Sequence, residues 1–436
     1  MKKLFALLLV ALSGTYMQTA AQITNVITYA GTGVAGLFDA SLANAQFRQP
    51  YGLCSDSLGN IYVADTYNHC IRKISGGMVT TILGNGSVGD VDANGTNARF
   101  NHPTGVFYKY GILYICDNLN NKIKKMDAAG NVTTIAGSGV WSYQDGPVAQ
   151  AAFKEPKSIT VDNTGAVFVA DYENHCIRKI ANGQVTTYAG VGASNGDQLG
   201  ASSTAKFYRP RDLVLDPAGN LYVTDLMNNK IKVVTTGGIV NLVAGSGAQG
   251  STDGVGIGAS FDRPCGIDRR QNGDLIVMDA VGPKVRIVTV AGTVTTLAGT
   301  GTSGYQKSPV LTATFNLPQD ICYDAQGNLY ISDDLNHVIR KLVNTNPKGV
   351  EEYQTFENLQ IFPNPAIDQV IISQPEGNEN LLETISIFDL QGKLCKTVSG
   401  IKGEKQIIIS VADLPSGEYL IVAEGEKSRS TGKFIK

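Results

Sequence analysis

The residues most able to do chemistry in this chain are its four histidines, and three of them sit in near-copies of one phrase. His69 lies in DTYNHCIRKI, His175 in DYENHCIRKI and His337 in DDLNHVIRKL, while His102 stands beside Pro103. An Asp, an Asn and a His within five residues could serve acid–base or metal chemistry. Neither H-E-x-x-H nor G-x-S-x-G occurs, so no zinc-protease or serine-hydrolase signature supports that use. G-x-G-x-x-G occurs at Gly31, Gly84, Gly245 and Gly299, but each copy ends a strand-like run and enters a polar loop instead of opening a helix. A dinucleotide site needs the helix.

The phrases belong to a repeat. Related segments begin at Asp65, Asp117, Asp171, Asp225, Asp279 and Asp333, spaced by 52 residues once and by 54 thereafter. Two further markers run in step. F-x-x-P places Pro50, Pro103, Pro156, Pro210, Pro264 and Pro318, and a V-T-T-like strand ends at Gly84, Gly137, Gly190, Gly245 and Gly299. Three markers in fixed order at one period specify a repeat architecture. Each repeat reads as four short strands, in the first copy YGLCSD, NIYVAD, HCIRKI and MVTTIL, joined by Gly turns. A four-stranded antiparallel unit at this period is a propeller blade. The sixth repeat lacks its last strand, and NVITYAG, from Asn25 to Gly31, stands alone at the start and matches it. The N-terminal strand is therefore expected to complete the sixth blade beside Ile339 and close the ring.

These residues resemble the NHL repeat, named for an Asn-His-Leu signature. Asn68-His69, Asn174-His175 and Asn336-His337 carry it, Asn120-Asn121 and Asn228-Asn229 are variants, and Gly282-Pro283 departs from it. The resemblance covers about residues 23–345 and implies a six-bladed propeller, in agreement with the count. The corner phrase then has a structural reading: Asp and Asn bond turn backbone, and His packs and bonds between neighbours.

Within a propeller the residues flanking each repeat proline are expected to rim one mouth of the central channel. Blades three to five would bring Glu155, Lys157, Arg209, Arg211, Asp212 and Arg263 together, with Asp320 contributed by blade six. Such a group suits a carboxylate, a sugar acid or a peptide terminus, because Arg grips carboxylates in a bidentate manner. The competing reading is a solvated ring of mutually paired charges. Asp212 and Asp320 with Glu155 could alternatively hold a divalent cation, calcium being the candidate; otherwise no cofactor and no metal is expected. Trp141, Tyr143 and Tyr305 lie on the loops before the prolines, where they either stack on sugar rings or pack locally.

The ends of the chain carry targeting signals. Residues 1–21 read as a signal peptide: Lys2 and Lys3, an apolar stretch from Leu4 to Leu12, and Thr19-Ala20-Ala21 as a cleavage site. The apolar run is too short to span a bilayer. Loss of Lys2 and Lys3 takes the formal charge from −2 to −4, near neutrality, which disfavours a nucleic-acid partner. The seven cysteines lie mostly in strand-like runs and read as buried small side chains, with Cys54–Cys322 as the one conceivable bridge. The propeller is expected over 22–345, a linker over 346–357 and a small β-sandwich over 358–436.

The last segment resembles the type A C-terminal sorting domain of the type IX secretion system. Phe362, Pro363, Asn364, Pro365, the Asp389–Lys393 turn, Gly417, Tyr419, Gly432 and Lys433 carry the likeness, with Phe362 where Tyr is common. The resemblance implies a Bacteroidota-type bacterium, the secretion machinery as a partner, and a protein secreted or held on the outer cell surface after passage through the periplasm. Two functional readings follow. The propeller is an exported binding module for a glycan, peptide or protein, or it is a lactonase-like hydrolase or lyase, calcium-dependent in some relatives, acting at the channel mouth. The scarcity of His favours binding.

Overall fold

A computed structural model describes residues 25–307, 309–343, 354–355, 360–373, 383–389, 394–401, 404, 406–424 and 428–436. The signal peptide at 1–21, most of the linker and most of the Asp389–Lys393 turn lie outside the described residues. Two compact units divide at Thr345 and Asn346.

The first unit is a six-bladed β-propeller. Six sheets each run from an inner strand to an outer one. The inner strands are Pro50–Ser55, Pro103–Lys109, Pro156–Val161, Pro210–Leu215, Pro264–Arg269 and Asp320–Tyr323, and they define blades one to six. Each contacts the next, and the sixth contacts the first, so the ring is closed. Asn25–Ala30 pairs antiparallel with Val338–Val343 as the outer strand of blade six, which joins the two ends of the unit. In blades one, three, four and five a two-residue strand from the loop before the inner strand, such as Ala40–Ser41 on Val79 and Met78, covers the outer edge. That cover blunts the open strand edge, which would otherwise invite pairing with another chain.

The markers that set the period turn out to be packing devices. The Phe of each F-x-x-P (Phe47, Phe100, Phe153, Phe207, Phe261 and Phe315) is fully buried, as is an Ala two residues before it. Each such Phe contributes about 1.5–3 kcal/mol through burial. The terminal Gly of the outer strand is needed because its backbone passes close to the corner of the same blade. A Cβ on Gly245, whose φ is +109°, would lie 2.5 Å from the Asn229 carbonyl oxygen. The G-x-G-x-x-G stretches are therefore turns and not nucleotide loops.

Among the described residues the second unit is a β-sandwich-like pair of sheets, one of five strands and one of three. Its core holds Val370, Ile372, Ile385, Ile387, Ile407, Ile409, Ile421 and Phe434. Gln354 and Thr355, expected within the linker, pair with Ser428 and Arg429 at its sheet edge. The motif residues converge at one end. Asn364 Oδ1 accepts from Ile435 N–H at 2.9 Å, Gly417 and Lys436 exchange backbone bonds, and Tyr419 stacks on Phe434 at 5.3 Å. Gly432 lies opposite Ile421, Lys433 ion-pairs with Glu418, and both the Phe362–Pro363 and Asn364–Pro365 peptides are cis.

Candidate functional site at the channel mouth

The corner between second and third strands shares one ion pair in every blade, and its Asn in all but blade five, where Gly282-Pro283 stands instead. The Asp that opens it accepts from the backbone N–H two residues before the repeat proline, as Asp65 does from Arg48 at 2.8 Å. Its other oxygen binds the corner Asn and a cation seven residues on: Asp65–Arg72, Asp117–Lys124, Asp171–Arg178, Asp225–Lys232, Asp279–Arg286 and Asp333–Arg340, all with fully buried side chains. In five blades the cation also reaches an outer carboxylate, Asp39, Asp90, Asp145, Asp197 or Asp253. In blade six Arg340 instead donates to the carbonyls of Gln306 and Thr314. The fixed Asp-to-cation spacing is visible in the sequence, but the reading from sequence assigns the corner only an Asp, an Asn and a His.

The corner His or Asn holds the next blade. His69, His175 and His337 accept through Nδ1 from the N–H of His102, Arg209 and Gln49. Asn121 and Asn229 accept through Oδ1 from Glu155 and Arg263. All five sit at a left-handed φ between 52° and 57°. Asn and His tolerate that region better than most residues, which accounts for their exchange here. The histidines are blade couplers. His102 stacks edge-on against His69 at 4.4 Å and Tyr67 at 4.8 Å.

The residues before the prolines behave differently from the residues after them. Gln49, His102, Glu155, Arg209, Arg263 and Leu317 all have positive φ, and none lines the channel cavity. Four of the six residues after the prolines do line it. A cavity of about 200 Å³ follows the inner strands and is walled at one end by Tyr51, Lys157, Arg211 and Gln319. Asp212 and Asp320 lie deeper, with Asp268. Of the expected cluster, then, the structure brings Lys157, Arg211, Asp212 and Asp320 into one cavity. Glu155 joins only through an ion pair to Lys157 at 3.4 Å, and Arg209 through one to Glu173 at 2.8 Å. Arg263 is exposed and stands outside the site.

The three aspartates hold strands together. Asp212 accepts from Ile267 N–H, Asp268 from Tyr323 N–H and Asp320 from Leu53 N–H, each at 2.7 Å and each on the following blade. Ser158 Oγ donates to Asp212 as well. Burial pushes all three carboxyls up, Asp268 to about 6, and the repulsion of Asp212 adds to the rise at Asp320. Their oxygens are engaged by backbone, and among the described residues no cluster of three His, Cys, Asp or Glu side chains suits a metal ion. The calcium arrangement of Glu155, Asp212 and Asp320 is not assembled. None of the seven cysteines is in a disulfide, Cys54 and Cys322 included.

The mouth itself holds two cations, Lys157 and Arg211. Arg211 is 5% exposed, and among the described residues it pairs with no carboxylate. Its guanidinium lies 4.1 Å from the centre of the Tyr51 ring, and Nη2 donates to Gln319 Oε1 at 2.5 Å. Lys157 shares the Tyr51 and Tyr172 rings at 5.6 and 5.4 Å and donates to Asn118 Oδ1 at 3.3 Å. Burial, with Arg211 nearby, lowers the Lys157 ammonium to about 8. Gln319 passes its other end to Asp334 Oδ2 at 2.8 Å, and burial raises that carboxyl to about 7. Tyr172 and Asp334 were not singled out from sequence. The signal was their place directly after the corner Asp, a position shared with Thr66, Asn118, Leu226 and Ala280. On the loops, Tyr143 and Tyr305 pack locally through hydroxyl bonds to Thr187 and Thr28, whereas Trp141 is 58% exposed beneath Lys154.

Fold and site together define a six-bladed propeller with a charged channel mouth, joined to a C-terminal export module. Family models match NHL repeats at residues 47–74 and 153–180 and a secretion system C-terminal sorting domain at 360–436; the chain carries both. The sorting domain directs export by type IX secretion to the cell surface or the extracellular space. No helix among the described residues is long and apolar enough to cross a membrane. Human NHL repeat-containing protein 2 is 28% identical over 321 residues, 64% of this chain and 44% of that protein. The bovine form is 27% identical over 363 residues, 74% of this chain and 50% of that protein, so the chain spans half or less of these relatives. A Bacteroides ovatus protein described as an auxiliary nutrient binding protein superposes with a TM-score of 0.57 at 18% identity, covering 74% of this chain and 77% of that one.

Proposed function

We propose that this protein is an exported binding module whose propeller, residues 22–345, takes an anionic ligand at the channel mouth through Arg211 and Lys157, and that residues 346–357 link it to the sorting domain at 358–436. One observation carries the reading: Arg211 is a buried guanidinium with an amide, an aromatic face and no carboxylate partner. Holding such a charge out of water costs free energy unless an anion completes it. Every other fully buried cation of the propeller is paired with Asp. Asp212 and Asp320 support the floor of the site, and Glu155 and Arg209 trim its edge. The engagement of the histidines in blade coupling supports binding over hydrolysis or lyase chemistry. A fold neighbour described as nutrient-binding is compatible with capture at the cell surface.

The test is isothermal titration of the full chain with a panel of acidic sugars, short peptides and lactones. The expected result is binding of anionic members that is lost in Arg211→Met, with the melting profile kept. Equal affinity in wild type and Arg211→Met for every ligand found would overturn the proposal.

A further inference from the structure

Three features of the mouth narrow the ligand. The first is Asp334. It is 5% exposed, its Oδ2 is taken by Gln319, and its Oδ1 has no hydrogen-bond partner. A buried acceptor left open beside an anion site calls for a donor on the same ligand. The second is position. Asp334 is tied to Arg211 through the two ends of a single Gln319 side chain, so anion and donor must lie within a few bonds of each other. The third is the surround. The residue after each mouth-lining corner position is Tyr67, Leu119, Glu173, Met227, Val281 or Leu335. Tyr67 and Leu119 are each 44% exposed, Val281 39% and Leu335 41%, and Met227 is partly buried. At these corners, which carry Tyr172 and Asp334 one residue earlier, the side chain is apolar and exposed in blades one, two, five and six, and Glu173 takes its place in blade three.

Resting on the proposed anion site, we propose that the ligand is the free C-terminus of a peptide with apolar last residues. The terminal carboxylate meets Arg211 and Lys157. The N–H of the last residue, two bonds from the carboxylate carbon, donates to Asp334 Oδ1. The flanking apolar side chains lie on Tyr67, Leu119, Val281 and Leu335. A uronic acid supplies the carboxylate and a neighbouring hydroxyl, but its other hydroxyls find no use for the exposed apolar side chains of these corners. Charge complementarity at the centre and apolar contact around it together favour the peptide.

The experiment uses the full chain and N-acetylated tetrapeptides ending in Leu, Val or Phe. Each is made as free acid, as C-terminal amide, and as free acid N-methylated at the last residue. Galacturonate and glucuronate run alongside. The expected result is that the free acids bind, that the amides and the N-methyl acids each bind at least tenfold more weakly, and that N-methylation has no effect in Asp334→Ala. Binding of amides as well as acids, or indifference to N-methylation in the wild-type chain, would overturn the peptide assignment. So would binding of uronates with no peptide bound, although the anion site would then stand. Insensitivity of all binding to Arg211→Met would remove both.

Discussion

The corners and the mouth use the same side chains to opposite ends. At the corner of blade three, Arg178 meets Asp171 at 2.7 Å and Asp145 at 2.6 Å, and every nitrogen has an acceptor. At the mouth, one blade further on, Arg211 is buried almost as deeply and meets a glutamine and a tyrosine ring. The corner arrangement recurs in all six blades. The mouth arrangement occurs once, at a position held elsewhere by Tyr51, Thr104, Lys157, Cys265 and Gln319. In a repeat protein the chemistry that every unit repeats serves the architecture, and the chemistry that one or two units alone carry is free to serve a ligand.

The largest effect that sharpens this contrast is at the corner. Arg178→Met leaves Asp171 buried without its cation and should cost about 3–5 kcal/mol. Urea unfolding of the full chain followed by intrinsic fluorescence measures it; a loss below about 1 kcal/mol would mean the corner pairs are as dispensable as surface ones.

At the mouth the sign of the pH dependence is fixed by two groups. The ammonium of Lys157, held down to about 8 by burial and Arg211, loses its proton as pH rises through that value. Asp334, held up to about 7 by burial, gains charge over a lower window. Burial keeps Tyr51 neutral by raising its phenol, and it keeps His102 neutral by lowering its imidazole; Arg211 stays cationic. Glu155 and Glu173 remain tied to Lys157 and Arg209. The first titration removes a positive charge and the second adds a negative one, so affinity for an anion should fall by about tenfold, or about 1.4 kcal/mol, between pH 7 and 9. Titration calorimetry at the two values checks it, and Lys157→Met should flatten the fall above pH 8.

The smallest effect tests interchangeability at the blade coupler. His175→Ala removes the acceptor for Arg209 N–H and should cost about 1 kcal/mol. His175→Asn should restore nearly all of it, since Asn121 and Asn229 already do this work in blades two and four. Equal losses in the two variants would show that the imidazole has a role beyond accepting that bond.

The architecture was legible because its markers recur: F-x-x-P, the corner Asp and the outer-strand Gly each mark a buried or left-handed position that only a few residue types can fill. The orphan strand at Asn25–Ala30 was legible because the sixth repeat lacks one. The site was legible only in outline. Flanking a proline does not reveal which neighbour faces the channel. Glu155, Arg209 and Arg263, at positive φ before the proline, do not line the cavity, whereas Lys157 and Arg211, on the strand after it, do. Asp212 and Asp320 pointed to a cation in the sequence, but the staggered inner strands give their oxygens to backbone N–H groups instead. Asp334 was hidden by its identical neighbour, Asp333, which belongs to the corner ion pair.

The central claim is that Arg211 is kept for a ligand and not for the fold. The most direct test is the thermal midpoint of the full-length Arg211→Met variant, with no ligand added, beside that of Arg178→Met. Replacing an uncompensated buried charge by an apolar side chain of similar length should leave the midpoint of Arg211→Met unchanged or higher, while that of Arg178→Met falls by several degrees. A fall in Arg211→Met as large as that in Arg178→Met would contradict the claim, because the mouth arginine would then be one more structural cation.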